Sequence, residues 1–532
     1  MATATVAVPS SAVGRELEGY MSLPCAAVLQ TGTGGRLVML ASAGRAGLRR
    51  RAPRSREEAM STLEQQSSHL RQELGLADLV LTQILYVVGL SWVGVAARLG
   101  TSQIPFWLAA MALFYLPQAV VVVHLSRRFP LEGGLYQWAK LGLNEAFAFL
   151  VGWNLWIYAI VLLGSFGLQV ANALVYAIGE RAQWLSGNHA FIGAVSGVLL
   201  GSLVVISILG LRIGKWVHNA SAVLLLLAFA LLLALPAINV ARGTLRAYHP
   251  LAITTPALTL LNLNIFGKLA VGGLSGFEYV AVLAGETRNA RRNIARSVII
   301  AAPVIALMFI LGTSAVQALT PPDQVDLVGP IPQAFRNGLG TVGAAAILIP
   351  FAVLAATART IGNSSLLFTA TSRMPMVAGW DRLIPAWFCR LHASYRTPVN
   401  SVLFIGACAL VFAALGMTNV GEQEAFQLLE SASSILYGLT YLVLFAVPLV
   451  GLARTGARAP LWIRLVAVAG FATTVLFVVL SVLPIVGVAS RLAFAVKVGG
   501  TVVVANAIGV ALYRRGRRHA RAVAAPANTG DA

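Results

Sequence analysis

Stretches of about 20 apolar residues recur along most of this 532-residue chain, and nothing else in it limits the possible fold so severely. A stretch of that length reaches across the hydrocarbon core of a bilayer as a helix. No water is available there, so every backbone N–H and C=O must find its partner inside the segment. Twelve spans are read, at roughly 77–97, 104–125, 146–178, 190–211, 217–240, 262–284, 297–318, 341–368, 399–416, 425–450, 465–487 and 494–513. The composition agrees: 58% hydrophobic, 11% charged and a mean hydropathy of +0.79 exclude an ordinary soluble domain. The long 146–178 stretch holds Gly164 and Gly167 as a candidate kink, and it carries no loop chemistry that would divide it in two.

A net charge of +20 invites a nucleic-acid partner, but the placement of the charge argues against one. An even number of spans puts both termini on one side. The loops and C-terminus of that side carry about 21 Lys and Arg, against about 6 opposite, before the N-terminal tail is counted. This is the positive-inside pattern of a multi-pass protein of the cell (inner) membrane with both termini cytoplasmic. The basic stretch Arg514–Arg521, within a C-terminal tail of 514–532, reads as an anchor near anionic headgroups. Cys25, Cys389 and Cys408 show no paired spacing and the seven histidines are dispersed, so no metal or other cofactor is expected. His124 and His218 read as interfacial. Residues 1–75, with the run Arg49-Arg50-Arg51, read either as a disordered cytoplasmic tail or as sequence upstream of a start at Met60. No long polar segment follows the first span, so an attached enzymatic domain is not expected.

Two spans are interrupted. Gly272-Gly273-Leu274-Ser275-Gly276-Phe277-Glu278 breaks the sixth span and puts a carboxylate at the break, and Gly89-Leu90-Ser91-Trp92-Val93-Gly94 breaks the first. A charge at membrane depth costs roughly 2.5–3.5 kcal/mol on insertion scales, so it is kept where it meets a cavity or a partner. Both breaks open a group of five helices, 1–5 and 6–10, and paired glycine breaks in corresponding positions point to a transporter's midplane site. Other charges in the spans carry less. Lys268 reads as snorkelling toward the surface, Arg359 as lining a pathway or pairing with a carboxylate such as Glu430, and Lys497 as peripheral.

Three further stretches share a pattern. Phe129-Pro130-Leu131-Glu132-Gly133-Gly134-Leu135-Tyr136-Gln137-Trp138 leads into Gly152-Trp153. The sixth span continues from Ser275-Gly276-Phe277-Glu278 to Ala284-Gly285-Glu286-Thr287-Arg288-Asn289. An inner loop carries Ser372-Arg373, Asp381, Pro385 and Thr397-Pro398. Together, in this order, they resemble the signatures of the amino acid–polyamine–organocation superfamily of permeases, bacterial amino acid permeases in particular, over residues 76–513. The resemblance implies an all-α integral membrane fold of twelve transmembrane helices, a five-plus-five inverted repeat like that of the leucine transporter, with two extra C-terminal helices.

It also implies a site. Gly89, Leu90, Ser91, Trp92 and Gly94 in helix 1 and Gly273, Ser275, Gly276 and Phe277 in helix 6 would hold an amino acid. Half-helix amides would face its carboxylate and half-helix carbonyls its ammonium. The competing reading is that the glycines only let helices pack closely, and Trp92 and Phe277 read equally as gates or as core aromatics. The chain departs from the family's usual Gly-Ser-Gly at Gly89-Leu90-Ser91, which bears on the carboxylate geometry. It also has no lysine between 216 and 267, where proton-coupled relatives place one in helix 5. Glu278 has three readings: gating or proton coupling, pairing with a cationic substrate, or holding the broken helix. Glu286 and Arg288 read as a cytoplasmic gate or salt bridge. The expected function is secondary transport of amino acids or related amines by alternating access, by symport, exchange or uniport, with a proton or an exchanged amino acid as possible co-substrate. A glutamate/GABA-type antiporter or polyamine carrier is the rival within transport, and a membrane sensor the rival outside it.

Overall fold

The computed structural model describes residues 74–129, 134–209, 211–251, 253–278, 287–340, 345–380, 384–392, 394–395, 397–417, 420–451 and 458–524. They are helical almost throughout. α1 (Leu76–Val87) and α2 (Leu90–Ala97) meet at a 45° bend. α3 (Gln103–Ala110) runs through one π-type turn into α4 (Leu116–Arg128). α5 (Leu135–Gly142) is short, and α6 (Glu145–Ile178), α7 (His189–Leu209) and α8 (Leu211–Ala241) are long. α9 (Leu260–Gly267) opens the second half, followed by α10 (Ala290–Leu319), the short α11 (Pro330–Leu339) and α12 (Ala345–Trp380). α13 (Val399–Gly416), α14 (Glu422–Ala446), α15 (Leu461–Leu480) and α16 (Arg491–Ala524) complete the chain.

Among the described residues ten helices are long and apolar enough to cross a membrane, and the bent α1–α2 pair makes eleven. The remaining expected span, 262–284, is followed only through α9 and its break to Glu278. Residues 279–286 lie outside the described set, as do 1–73 of the expected tail. The expected kink in 146–178 is not a break, since α6 runs unbroken for 34 residues. At 1.5 Å per residue that is about 51 Å, too long to stand upright in a core of about 30 Å, so α6 must incline or project. The expected 465–487 span stops at Leu480. Pro484 cannot donate to a continuing ladder, and residues 481–490 turn instead. α16 runs on through the basic stretch to Ala524, with Arg517 3.9 Å from Glu145 at the start of α6.

Local sequence sets the helix ends. The Asn144 side chain accepts from the Phe147 amide at 3.0 Å, and Glu145 sits in the first turn of α6, where a negative charge suits the helix dipole. Gly179, at φ +86°, stops the same helix. α11 starts on Pro330 and ends before Gly340, and its apolar face of Ile331, Ala334 and Phe335 is fully buried.

α6 is the central post, packed by α7, α12, α13 and α14. Its glycines explain the close approach. A Cβ on Gly164 would lie 3.1 Å from the Ala409 carbonyl and the Ala413 amide of α13, and one on Gly167 would lie 2.7 Å from Cα of Ser196 in α7. In a membrane, where apolar burial between helices gives no net drive, such backbone proximity is a principal source of packing energy. Buried polar pairs add register. Gln83 donates to Ser297 at 2.9 Å, Gln103 to Ser314 at 3.0 Å and Trp107 to Thr313 at 3.1 Å, tying α1 and α3 to α10. We expect Gly167→Ala to cost about 1–3 kcal/mol through overpacking, read as a lowered unfolding midpoint of the detergent-purified protein. Gly201→Ala, whose Cβ meets nothing within 4 Å, is expected to leave the midpoint unchanged.

Candidate substrate site

The first break lies at Val88-Gly89. The Gly89 amide donates to the Val87 carbonyl at 2.8 Å, the ladder is interrupted, and α2 begins with no side chain capping its N-terminus. The helix therefore presents its first amides and the positive end of its dipole to whatever lies beyond. The second break follows α9, where a π-type turn over Lys268–Gly273 loosens the helix before Leu274, Ser275 and Gly276. Gly276 has φ +133°, and a Cβ there would meet the Tyr86 ring at 2.5 Å, so both conformation and space demand glycine. The two breaks touch through Trp92. Its indole lies where a Cβ on Gly272 would come within 2.4 Å of the ring and one on Gly273 within 3.3 Å.

The backbone freed at the second break is satisfied from neighbouring helices. Gln118 of α4 donates to the Leu274 carbonyl, and the Gly276 amide donates to the Tyr441 hydroxyl of α14 at 2.8 Å. Ser275 donates back to the Val271 carbonyl. Tyr441 has one proton to give and directs it at Glu278, with Gln118 Oε1 2.8 Å away. Tyr437 donates to the other Glu278 oxygen. Glu278 is thus buried and held by two tyrosines, of which Tyr437 lines the space next to the breaks while Glu278 itself does not.

That space is a cavity bounded by five stretches of helix. Tyr86, Gly89, Ser91 and Trp92 face it from α1–α2, and Gly272 and Ser275 from the second break. α6 contributes Tyr158, Leu162, Phe166 and Gln169. α12 contributes Arg359 and Asn363, and α14 contributes Glu430, Ser434 and Tyr437. Tyr158 and Tyr437 stack at 4.3 Å, and the Tyr86 and Tyr158 hydroxyls lie 3.2 Å apart. Arg359 donates to the Tyr86 carbonyl, at the last turn of α1, at 3.2 Å. Its Nε and the Asn363 Oδ1 are buried with no hydrogen-bond partner.

The residues expected at the site divide. Gly89, Ser91, Trp92 and Ser275 line the cavity. Leu90 is buried beside it. Gly94 instead makes room for Pro330 of α11, 2.7 Å from the position of its Cβ. Gly273 and Gly276 shape the break without lining the cavity. Phe277 is fully buried against Tyr115 at 4.8 Å, a core contact. Arg288 lies after the break, its amide donating to the Leu74 carbonyl at 3.0 Å, and Glu286 is outside the described residues. Lys268 does not snorkel. It is 3% exposed, and its ammonium donates to Ser431 of α14 at 2.8 Å. His218 is likewise buried rather than interfacial, 3.3 Å from Ser365. The sequence reading missed Tyr86, Gln118, Asn363, Ser434, Tyr437 and Tyr441. One signal was available: Glu430, Ser434, Tyr437 and Tyr441 fall at helical spacing, a polar face on an otherwise apolar span.

Comparison with known proteins agrees with the fold. The profile of a family described as amino acid permease matches residues 74–505. The chain is 24% identical to the uncharacterized transporter lpg1691 of Legionella pneumophila, over 71% of this chain and 81% of that protein. It is 21% identical to the probable agmatine/putrescine antiporter AguD of Lactococcus lactis, over 70% and 78%. Among solved structures, that of MhsT in complex with L-phenylalanine superposes with a TM-score of 0.55 at 12% identity, over 77% of this chain and 98% of that one. At that identity the match speaks for the fold alone, the leucine-transporter type with its five-plus-five inverted repeat. The chain belongs to the amino acid permease family of the amino acid–polyamine–organocation superfamily, and it is a multi-pass membrane transporter.

Proposed function

We propose that this transporter moves amino acids or related amines by alternating access, with the substrate held between the α1–α2 break and the break at 274–276. The observation that carries the proposal is the cavity itself, lined at once by Gly89 and Ser91 from one break and Gly272 and Ser275 from the other. The uncapped N-terminus of α2 suits a carboxylate. The stacked Tyr158 and Tyr437, with Leu162 and Phe166, suit an apolar body. Family membership supports amino acids, MhsT was solved with L-phenylalanine, and AguD is named for agmatine and putrescine. The distribution of basic residues supports cytoplasmic termini in the cell membrane.

Among the three roles open to Glu278, its two tyrosine donors favour that of a fixed element holding the break. Proton coupling is the rival, and a buried carboxylate without a basic partner in contact among the described residues keeps it in play. Pairing with a cationic substrate is disfavoured, since both carboxylate oxygens accept from tyrosines and the carboxylate does not line the cavity.

Purified protein in liposomes loaded with a mixture of amino acids and amines is expected to take up labelled members of that mixture by exchange. Ser91→Leu, which fills the space between the breaks, is expected to cut uptake at least tenfold. If no candidate exchanges or accumulates while one binds and triggers a partner protein, the carrier reading fails. Tyr437→Phe and Tyr441→Phe each remove a hydrogen bond to a charged group and are expected to cost about 1.5–3 kcal/mol, measured by denaturant or thermal unfolding. Glu278→Gln separates the two main roles through uptake measured across pH. A profile identical to that of the unmodified protein assigns Glu278 to structure, and a flattened profile assigns it to coupling.

A further inference from the structure

Three charged side chains gather at the cavity. Arg359 and Glu430 line it, and Lys268, in the turn before the second break, is bonded to Ser431, the residue after Glu430. Glu430 attracts both cations electrostatically, yet among the described residues it is in ion-pair contact with neither and its carboxylate accepts no hydrogen bond. It is 9% exposed, and that exposure is to the cavity. Asn363, only 4% exposed, lines the cavity from α12 and leaves Oδ1 unpartnered. The lining therefore holds two acceptors, one of them a carboxylate, that the protein itself does not use.

The usual alternative for a substrate ammonium is the carbonyl end of the first half-helix. Here Arg359 already donates to the Tyr86 carbonyl at that end, and a guanidinium fixed there repels a second cation. Charge balance points the same way. Lys268 and Arg359 are matched in number by the buried acids Glu278 and Glu430. A zwitterion leaves that balance unchanged. A diamine adds two positive charges next to Arg359 with one free carboxylate to receive them.

We infer that Glu430 is the counter-ion of the substrate's ammonium group, and that the cavity is built for a ligand with one ammonium and one carboxylate rather than for a diamine. The inference rests on reading this cavity as the substrate site. The carboxylate goes to the start of α2 and Ser91, the ammonium to Glu430 and Asn363 across the cavity, and the aromatic pair borders the side chain.

The test uses the full-length protein and measures competition by the twenty protein L-amino acids, by putrescine and, for the best-binding amino acid, by its deaminated acid. In the unmodified protein the best amino acid is expected to bind at least tenfold more tightly than either putrescine or its own deaminated acid. In Glu430→Gln the preference over the deaminated acid is expected to collapse to within twofold, while Glu430→Asp, which keeps the charge, retains most of it. Unfolding midpoints of both variants guard against misfolding. Preferential binding of putrescine, or a Glu430→Gln protein that keeps its full preference for the ammonium group, overturns the inference while leaving amino acid or amine transport standing. Failure of every amino acid and amine to bind the unmodified protein overturns the proposed function instead.

Discussion

A helix that is broken among apolar neighbours has to find partners for the backbone groups it releases, and the centre of this protein is organised around that demand. The break at 274–276 is completed from two other helices. Gln118 of α4 takes the Leu274 carbonyl, and Tyr441 of α14 takes the Gly276 amide. Tyr441 then needs an acceptor for its own proton, and Glu278 provides one. The carboxylate at the break is thus the end of a chain of hydrogen bonds that starts at the backbone. Removing any member strands a polar group in surroundings without water, so α4, α14 and the break stand or fall together.

The glycines at the two breaks serve packing and access together. Gly272 and Gly273 leave the space that the Trp92 indole fills, and Gly276 lets the chain pass the Tyr86 ring. Because Trp92 belongs to the first break and its bed to the second, the breaks are docked on each other, and the cavity is what remains between them. Close packing and an open cavity, which the sequence offered as alternatives for these glycines, arise from one arrangement. Gly94 is the exception. Its space goes to Pro330, and it serves the seating of α11.

The spans and breaks were legible because hydropathy and glycine clustering are properties of the chain read in one dimension. Span ends fell within a few residues for most helices, and the failure at 465–487 came from weighing apolar content above Pro484. The side of a helix on which a residue faces is not one-dimensional. Lys268 was read as snorkelling because its depth was judged from its distance along the helix, whereas its rotation points it at Ser431. Phe277 was open to two readings, gate or core aromatic, and its contact with Tyr115 fits the second. The partners of Glu278 lie 159 and 163 residues away in α14, a contact that only the folded repeat creates.

The charges around the cavity are poorly explained by stability. Replacing buried ionic groups with apolar side chains of similar volume is often neutral or stabilising, by about 1–4 kcal/mol, because desolvation outweighs the attraction regained. Lys268, Arg359 and Glu430 are buried and the carboxylate is attracted to each cation, and yet it touches neither. A structural ion pair would close that distance, since the Coulomb gain grows as the separation shrinks. A carboxylate held at cavity depth, near two cations but in contact with neither, keeps its lone pairs for something that comes and goes. Glu278, of the same chemistry but only 1% exposed, is enclosed by Tyr437 and Tyr441. The two acids differ in their partners: one is enclosed by two tyrosines, and the other faces the cavity.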